Sequence, residues 1–121
     1  MTETTTESHV GSCHCGKVRY EVRGDLSKVI SCNCSRCGRL GALLAFVPVD
    51  HFTLLAGEDA LTDYRFNTHK IHHVFCKHCG IESFARGTAP DGKTMAAINV
   101  RCVEGVDLDA LHVTKIDGKS R

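Results

Sequence analysis

Cys13-His14-Cys15-Gly16-Lys17-Val18-Arg19-Tyr20-Glu21-Val22 sets two chelating thiols directly before a stretch in which every second residue is apolar. Val18, Tyr20 and Val22 fall on one face of such a strand, with Arg19 and Glu21 on the other. The same rhythm recurs along the chain in short pieces. Strands are expected at Lys28–Ser31, Leu43–Val47, Phe52–Leu55, Leu61–Phe66, Ile71–Phe75, Ser83–Arg86, Met95–Val100 and Leu111–Ile116. Pro90-Asp91-Gly92 reads as a turn. Only Ser35–Gly41 and Asp107–Leu111 offer short helical turns, and no stretch has the period of a long amphipathic helix. The reading is a mainly β domain of short antiparallel strands over residues 9–121. The Thr- and Glu-rich stretch 1–8 is expected to be a solvated, disordered tail.

Sulfur is the unusual element of the composition. The 121 residues include eight cysteines, eight histidines, five phenylalanines, two tyrosines and no tryptophan, so the aromatic core is modest. Seven cysteines fall into three tight clusters: Cys13 and Cys15; Cys32, Cys34 and Cys37; Cys76 and Cys79. Cys102 stands alone. The first eight residues lack the apolar run of an export signal, so a reducing, cytoplasmic location is expected, where disulfides are rare. Near neighbours such as Cys-x-Cys also make strained disulfides but good chelates. Metal binding is therefore the expected use of these thiols. Lys plus Arg number 15 against 14 for Asp plus Glu. That balance excludes a strongly basic nucleic-acid binder on composition. No apolar run reaches the ~18 residues of a membrane-spanning helix.

Cys76-Lys77-His78-Cys79-Gly80 is a zinc knuckle by spacing: the turn lets two sulfurs converge, and glycine permits the bend. A knuckle supplies two ligands and needs a second pair. Cys13 and Cys15 fit, on the expectation that an extended Cys-x-Cys points both sulfurs to one side. The result is a closed four-thiolate structural site. Cys32, Cys34 and Cys37 then remain as three ligands around a second zinc with an open fourth position, the pattern of a catalytic site. Zinc with three thiolates is a weak source of hydroxide but a suitable acceptor for a fourth sulfur, which makes a thiol the expected substrate. The alternative is a second closed site completed by Cys102, His14, His72, His73 or His78. Arg36 and Arg39 beside the triplet match a substrate's carboxylates, or else are solvated charges. His72, His73 and His78 are the candidate proton donors.

Three ordered pieces, Gly11-Ser12-Cys13-His14-Cys15-Gly16-Lys17-Val18-Arg19-Tyr20, Cys32-Asn33-Cys34-Ser35-Arg36-Cys37 and Phe75-Cys76-Lys77-His78-Cys79-Gly80, together with Asn99-Val100-Arg101-Cys102, span residues 11 to 102. With them the chain resembles the glutathione-dependent formaldehyde-activating enzyme family, which also contains centromere protein V. The resemblance implies an Mss4-like β-tent stitched by zinc. It matches Cys13, Cys15, Cys76 and Cys79 to the family's structural zinc. It matches Cys32, Cys34 and Cys37 to a second, catalytic zinc associated with glutathione. The implied activity is that of a carbon–sulfur lyase joining glutathione to formaldehyde as S-(hydroxymethyl)glutathione. The centromere relative implies the alternative, a non-catalytic zinc module for protein or nucleic-acid interaction. A sensor whose triplet loses zinc on oxidation is a third reading.

Overall fold

A computed structural model of the chain describes residues 8–33, 35–65, 71–88 and 91–117. Cys34, Phe66, Pro90 and the stretch 1–7 lie outside them. The strands are β1 Ser8–Ser12, β2 Arg19–Arg23, β3 Lys28–Cys32, β4 Leu44–Pro48, β5 Phe52–Ala56, β6 Leu61–Tyr64, β7 His72–Cys76, β8 Phe84–Thr88, β9 Thr94–Asn99 and β10 His112–Ile116. One helical turn, α1, covers Cys37–Leu40 and ends on Gly41 in the left-handed conformation at φ 74°. The strands form two sheets, β1-β2-β5 and β10-β3-β4-β9-β8-β7-β6. The architecture is mainly β, as expected. All pairings are antiparallel except β10 on β3, which is parallel in the register His112↔Lys28 to Ile116↔Cys32. Ser8, read as the end of a tail, instead opens β1 and pairs with Arg23.

The core lies between the two sheets. Val18, Tyr20 and Val22 are all fully buried, as the alternation requires. Tyr20 and Phe52 from the smaller sheet meet Phe84 from the larger one, with ring centroids 4.6–5.7 Å apart. Such tilted and edge contacts suit the ring quadrupoles. Burying each large apolar side chain contributes about 1.5–3 kcal/mol. The Tyr20 hydroxyl would be costly if left dry, and it donates to the Ser83 carbonyl at 3.1 Å. Gly11 makes room for this ring: a Cβ there would sit 2.4 Å from the Tyr20 hydroxyl.

The register also assigns side chains to faces. Asp63 pairs with Val74 and Tyr64 with His73, while His72 pairs with Arg86. Side chains alternate across a sheet. Val74 belongs to the core, so Asp63, His72 and Arg86 share the core-side face, and Tyr64 and His73 share the opposite one. Cys32 ends β3 and Cys37 opens α1, so the triplet segment occupies the β3–β4 connection.

Candidate metal centre and adjoining cleft

Two turns deliver four sulfurs to one point between the sheets. The first closes the β1–β2 hairpin: the Cys13 amide donates to the Val18 carbonyl at 3.1 Å, and the Gly16 amide to the Cys13 carbonyl at 3.3 Å. The second, between β7 and β8, repeats the pattern: the Cys76 amide donates to Ile81 at 3.1 Å and the Gly80 amide to Cys76 at 2.7 Å. Gly16 at φ 84° and Gly80 at φ 81° take the left-handed conformation that closes each turn. Cys13 and Cys15 therefore do not lie on an extended segment. His14 and Cys15 lie in the turn, and the sulfurs of Cys13 and Cys15 stand 3.6 Å apart.

The sulfurs of Cys13, Cys15, Cys76 and Cys79 all lie within 4.8 Å of one another. Cys15 and Cys76 are 3.7 Å apart. A tetrahedron with Zn–S bonds of ~2.3 Å has edges of about 3.8 Å, so the spacing suits one ion. It is far too long for S–S bonds of about 2.05 Å, and none of the four is bridged. Amides from Val18 and His78 donate to the Cys13 and Cys76 sulfurs, each at 3.4 Å. At Cys13 the Val18 donor favours thiolate, the form that binds metal.

Burial works against a charged Cys79, but the Ile81 amide and the neighbouring thiols outweigh it and lower that thiol to about 6. Burial also opposes ionisation at Cys13, and there the Val18 amide and the Cys15 and Cys76 thiols turn the balance downward. At Cys15 the Lys17 amide alone would favour thiolate, yet desolvation and the three neighbouring sulfurs raise it to about 11. Four like-charged sulfurs cannot all ionise at this spacing without a cation. The donor set and its geometry fit a divalent metal, consistent with zinc.

The triplet segment borders a cleft of about 450 Å³ lined by Ser35, Arg36, Arg39, Leu40 and Tyr64. Arg36 is already engaged: its Nε donates to Glu82 Oε1 at 3.2 Å, a second guanidinium nitrogen pairs with the same oxygen, and its plane lies 4.8 Å over the Tyr64 ring. Arg39 donates to the Ser35 carbonyl at 2.7 Å. Glu82 is buried, and its other oxygen lies 3.7 Å from His73 Nδ1. Of the three candidate histidines, His73 thus shares the face of Tyr64 and Arg36. His72 pairs with Asp63 at 2.8 Å on the opposite face, and His78 is exposed in the knuckle. His14 is also exposed in its turn. Cys102, in the 3-10 turn Val100–Cys102 after β9, stays outside the quartet.

Glu82 and Tyr64 have no place in the sequence reading. A lone carboxylate in the otherwise uncharged run Ile81-Glu82-Ser83-Phe84-Ala85 was the available signal, because a buried acid needs a partner. Among the described residues no helix is long and apolar enough to cross a membrane.

Fold and site together define a small β protein with a four-cysteine cluster, able to hold a metal ion, where its two sheets meet. The chain belongs to the glutathione-dependent formaldehyde-activating enzyme family, whose model matches residues 8–113. It is also similar to the crystal structure of a Rhodobacter sphaeroides protein, at 31% sequence identity and a TM-score of 0.75, covering 87% of this chain and 99% of that one.

Proposed function

We propose that the chain is a zinc-dependent enzyme of the carbon–sulfur lyase type. It makes and breaks the adduct of a glutathione-type thiol with a formaldehyde-type aldehyde. The observation that carries this reading is the division of the cysteines. The quartet takes Cys13, Cys15, Cys76 and Cys79, leaving Cys32 at the end of β3 and Cys37 at the start of α1, and Ser35, Arg36, Arg39 and Leu40 of that connection line a cleft of ligand size. We assign the quartet a structural zinc and the triplet a second, catalytic one.

When bound by the three thiolates, the second zinc supplies a position that lowers the pKa of an incoming thiol and fixes its sulfur. The chain's own residues do the rest. Leu40 and the Tyr64 ring give the cleft an apolar wall, and Arg39 presents a guanidinium to a substrate carboxylate. Arg36 is held by Glu82, so its part is to shape the loop. In the forward direction the substrate sulfur bonds to the aldehyde carbon, and the thiol's proton ends on the former carbonyl oxygen. The reverse breaks the carbon–sulfur bond and returns both. His73 is the histidine on this face and is assigned the proton transfer. Positioning supplies most of the rate gain. Seven metal-binding thiols require a reducing compartment, which we take to be the cytoplasm.

The test combines metal analysis with exchange spectroscopy. Purified protein should hold two zinc equivalents. It should also accelerate exchange between free formaldehyde and its glutathione adduct in two-dimensional NMR. A cobalt-substituted protein whose spectrum does not respond to millimolar glutathione, and which leaves the exchange rate at the uncatalysed value, would overturn the reading.

A further inference from the structure

On the core-side face of the larger sheet, away from the cleft just described, a second cleft of about 420 Å³ opens among β6, β7, β8 and β9. Arg86 enters it from β8. Its guanidinium lies 5.2 Å over the Phe84 ring and 5.9 Å over the Phe52 ring. Its Nε is buried and has no hydrogen-bond partner. Among the described residues Arg86 makes no ion pair, although a carboxylate lines the same cleft. That carboxylate, Asp63, is already matched by His72 at 2.8 Å and Arg65 at 3.6 Å. A guanidinium lying over two rings loses part of its hydration, and a buried Nε–H without an acceptor costs free energy until one arrives.

Two further donors stand close by. Thr88 and Thr94 face each other across the β8–β9 pair, and both line the cleft. Directly opposed residues hold their β-carbons about 5 Å apart, a spacing at which two hydroxyls can reach one group. The fork geometry of arginine matches the paired oxygens of a carboxylate or phosphate. We infer that the Arg86 cleft binds a small oxyanion, held by the Arg86 guanidinium and the Thr88 and Thr94 hydroxyls. The ring contacts hold the guanidinium in place before the ligand arrives, so little ordering is lost on binding. The strand alternation separates this site from the triplet, and the inference stands whether or not the proposed reaction does.

The experiment follows the side-chain Nε–H resonance of Arg86 in zinc-loaded, ¹⁵N-labelled protein. Inorganic phosphate and acetate are titrated in separate arms at fixed ionic strength, with chloride as the balancing salt. A saturable shift with either anion is expected, and the arm that saturates at lower concentration identifies the chemical class. Arg86→Gln should abolish saturation, read on backbone amides of Gly87 and Thr88. Should that variant fail to fold, Thr94→Val keeps the shape and should weaken binding about tenfold, the worth of one hydrogen bond to a charged ligand. A shift that never saturates, that chloride reproduces, or that survives Arg86→Gln or Thr94→Val unchanged would overturn the inference.

Discussion

Arg36 and Glu82 form an ion pair that ties the triplet segment to the knuckle. Arg36 directly precedes Cys37, and Glu82 stands three residues beyond Cys79. The two partners differ in exposure, 23% for the Arg36 side chain against 5% for that of Glu82. This difference decides which loss hurts more. Removing Arg36 strands a buried carboxylate, whereas removing Glu82 leaves a guanidinium that can reach water. Arg36→Ala is therefore expected to cost about 3 kcal/mol or more. Glu82→Ala is expected to cost about 1–2 kcal/mol. Urea denaturation of the zinc-loaded proteins measures both, and equal losses would contradict the assigned asymmetry.

The quartet and the triplet should respond oppositely to the same chemistry. Zinc contributes on the order of 10–16 kcal/mol to a four-ligand structural site, while a domain of this size has a net stability of only about 5–15 kcal/mol. Cys76→Ser or Cys79→Ser should thus leave no cooperative thermal transition. Cys34→Ser should keep the β-rich circular dichroism spectrum and lose one metal equivalent. Unfolding of Cys34→Ser, or a parent-like melt of Cys76→Ser, would mean that the structural and catalytic roles are reversed.

The legibility of this fold follows the strength of local pattern. Val18, Tyr20 and Val22 announced their strand because alternation alone puts three large apolar groups on one face. β1 went unread because Ser8, Gly11 and Ser12 dilute its alternation. It is a strand because β2 pairs with it and because Gly11 accepts the Tyr20 ring, a long-range requirement that no window of sequence contains. The parallel β10–β3 pair is likewise a matter of which edge the last strand finds. At the quartet, residue spacing was enough to pick the four cysteines that the fold brings together. It did not reveal that Cys13 and Cys15 converge through a turn, since the turn depends on Gly16 and on the amide bond from Cys13 to Val18. Glu82 escaped because its partner lies 46 residues away in the chain.

Gly57 links the two cysteine turns, and its substitution tests how tightly the centre is built. It sits at φ 96°, and a Cβ there would meet the Lys17 carbonyl oxygen at 2.3 Å and the Val18 α-carbon at 2.7 Å. The 3-10 turn that follows, Glu58–Ala60, accepts the Lys77 amide of the knuckle through the Ala60 carbonyl at 2.8 Å. Backbone, not a flexible side chain, fills the space, so it cannot simply move aside. Gly57→Ala should cost at least about 2 kcal/mol from left-handed strain and the clash together. It should also weaken metal binding at the quartet, because Lys17 and Val18 belong to the first turn. Denaturant midpoints and cobalt competition titrations read the two effects, and an unperturbed pair of values would refute the close packing.

Cys102 provides the pH test. Burial, then the negative charges of Cys13, Cys79 and Glu82, raise its thiol from 9.0 to about 11. A raised thiol is protonated, and so unreactive, at every pH below that value, because the thiolate is the nucleophile. The sign for stability follows from the same shift: the folded state favours the protonated form. Its contribution is fully present below the unfolded value near 9 and is lost as the pH rises through 11. In zinc-loaded protein, iodoacetamide at pH 8 should leave Cys102 unmodified, with the rate climbing only as the pH approaches 11. Mass spectrometry of the peptide containing Cys102 reads the rate directly. If Cys102 instead completed a closed second zinc site with the triplet, it would already be a metal-bound thiolate. Chelator treatment would then raise its rate at pH 10–11 together with that of Cys32. A Cys102 rate that removal of the triplet metal leaves unchanged at pH 10–11 therefore places Cys102 outside that site.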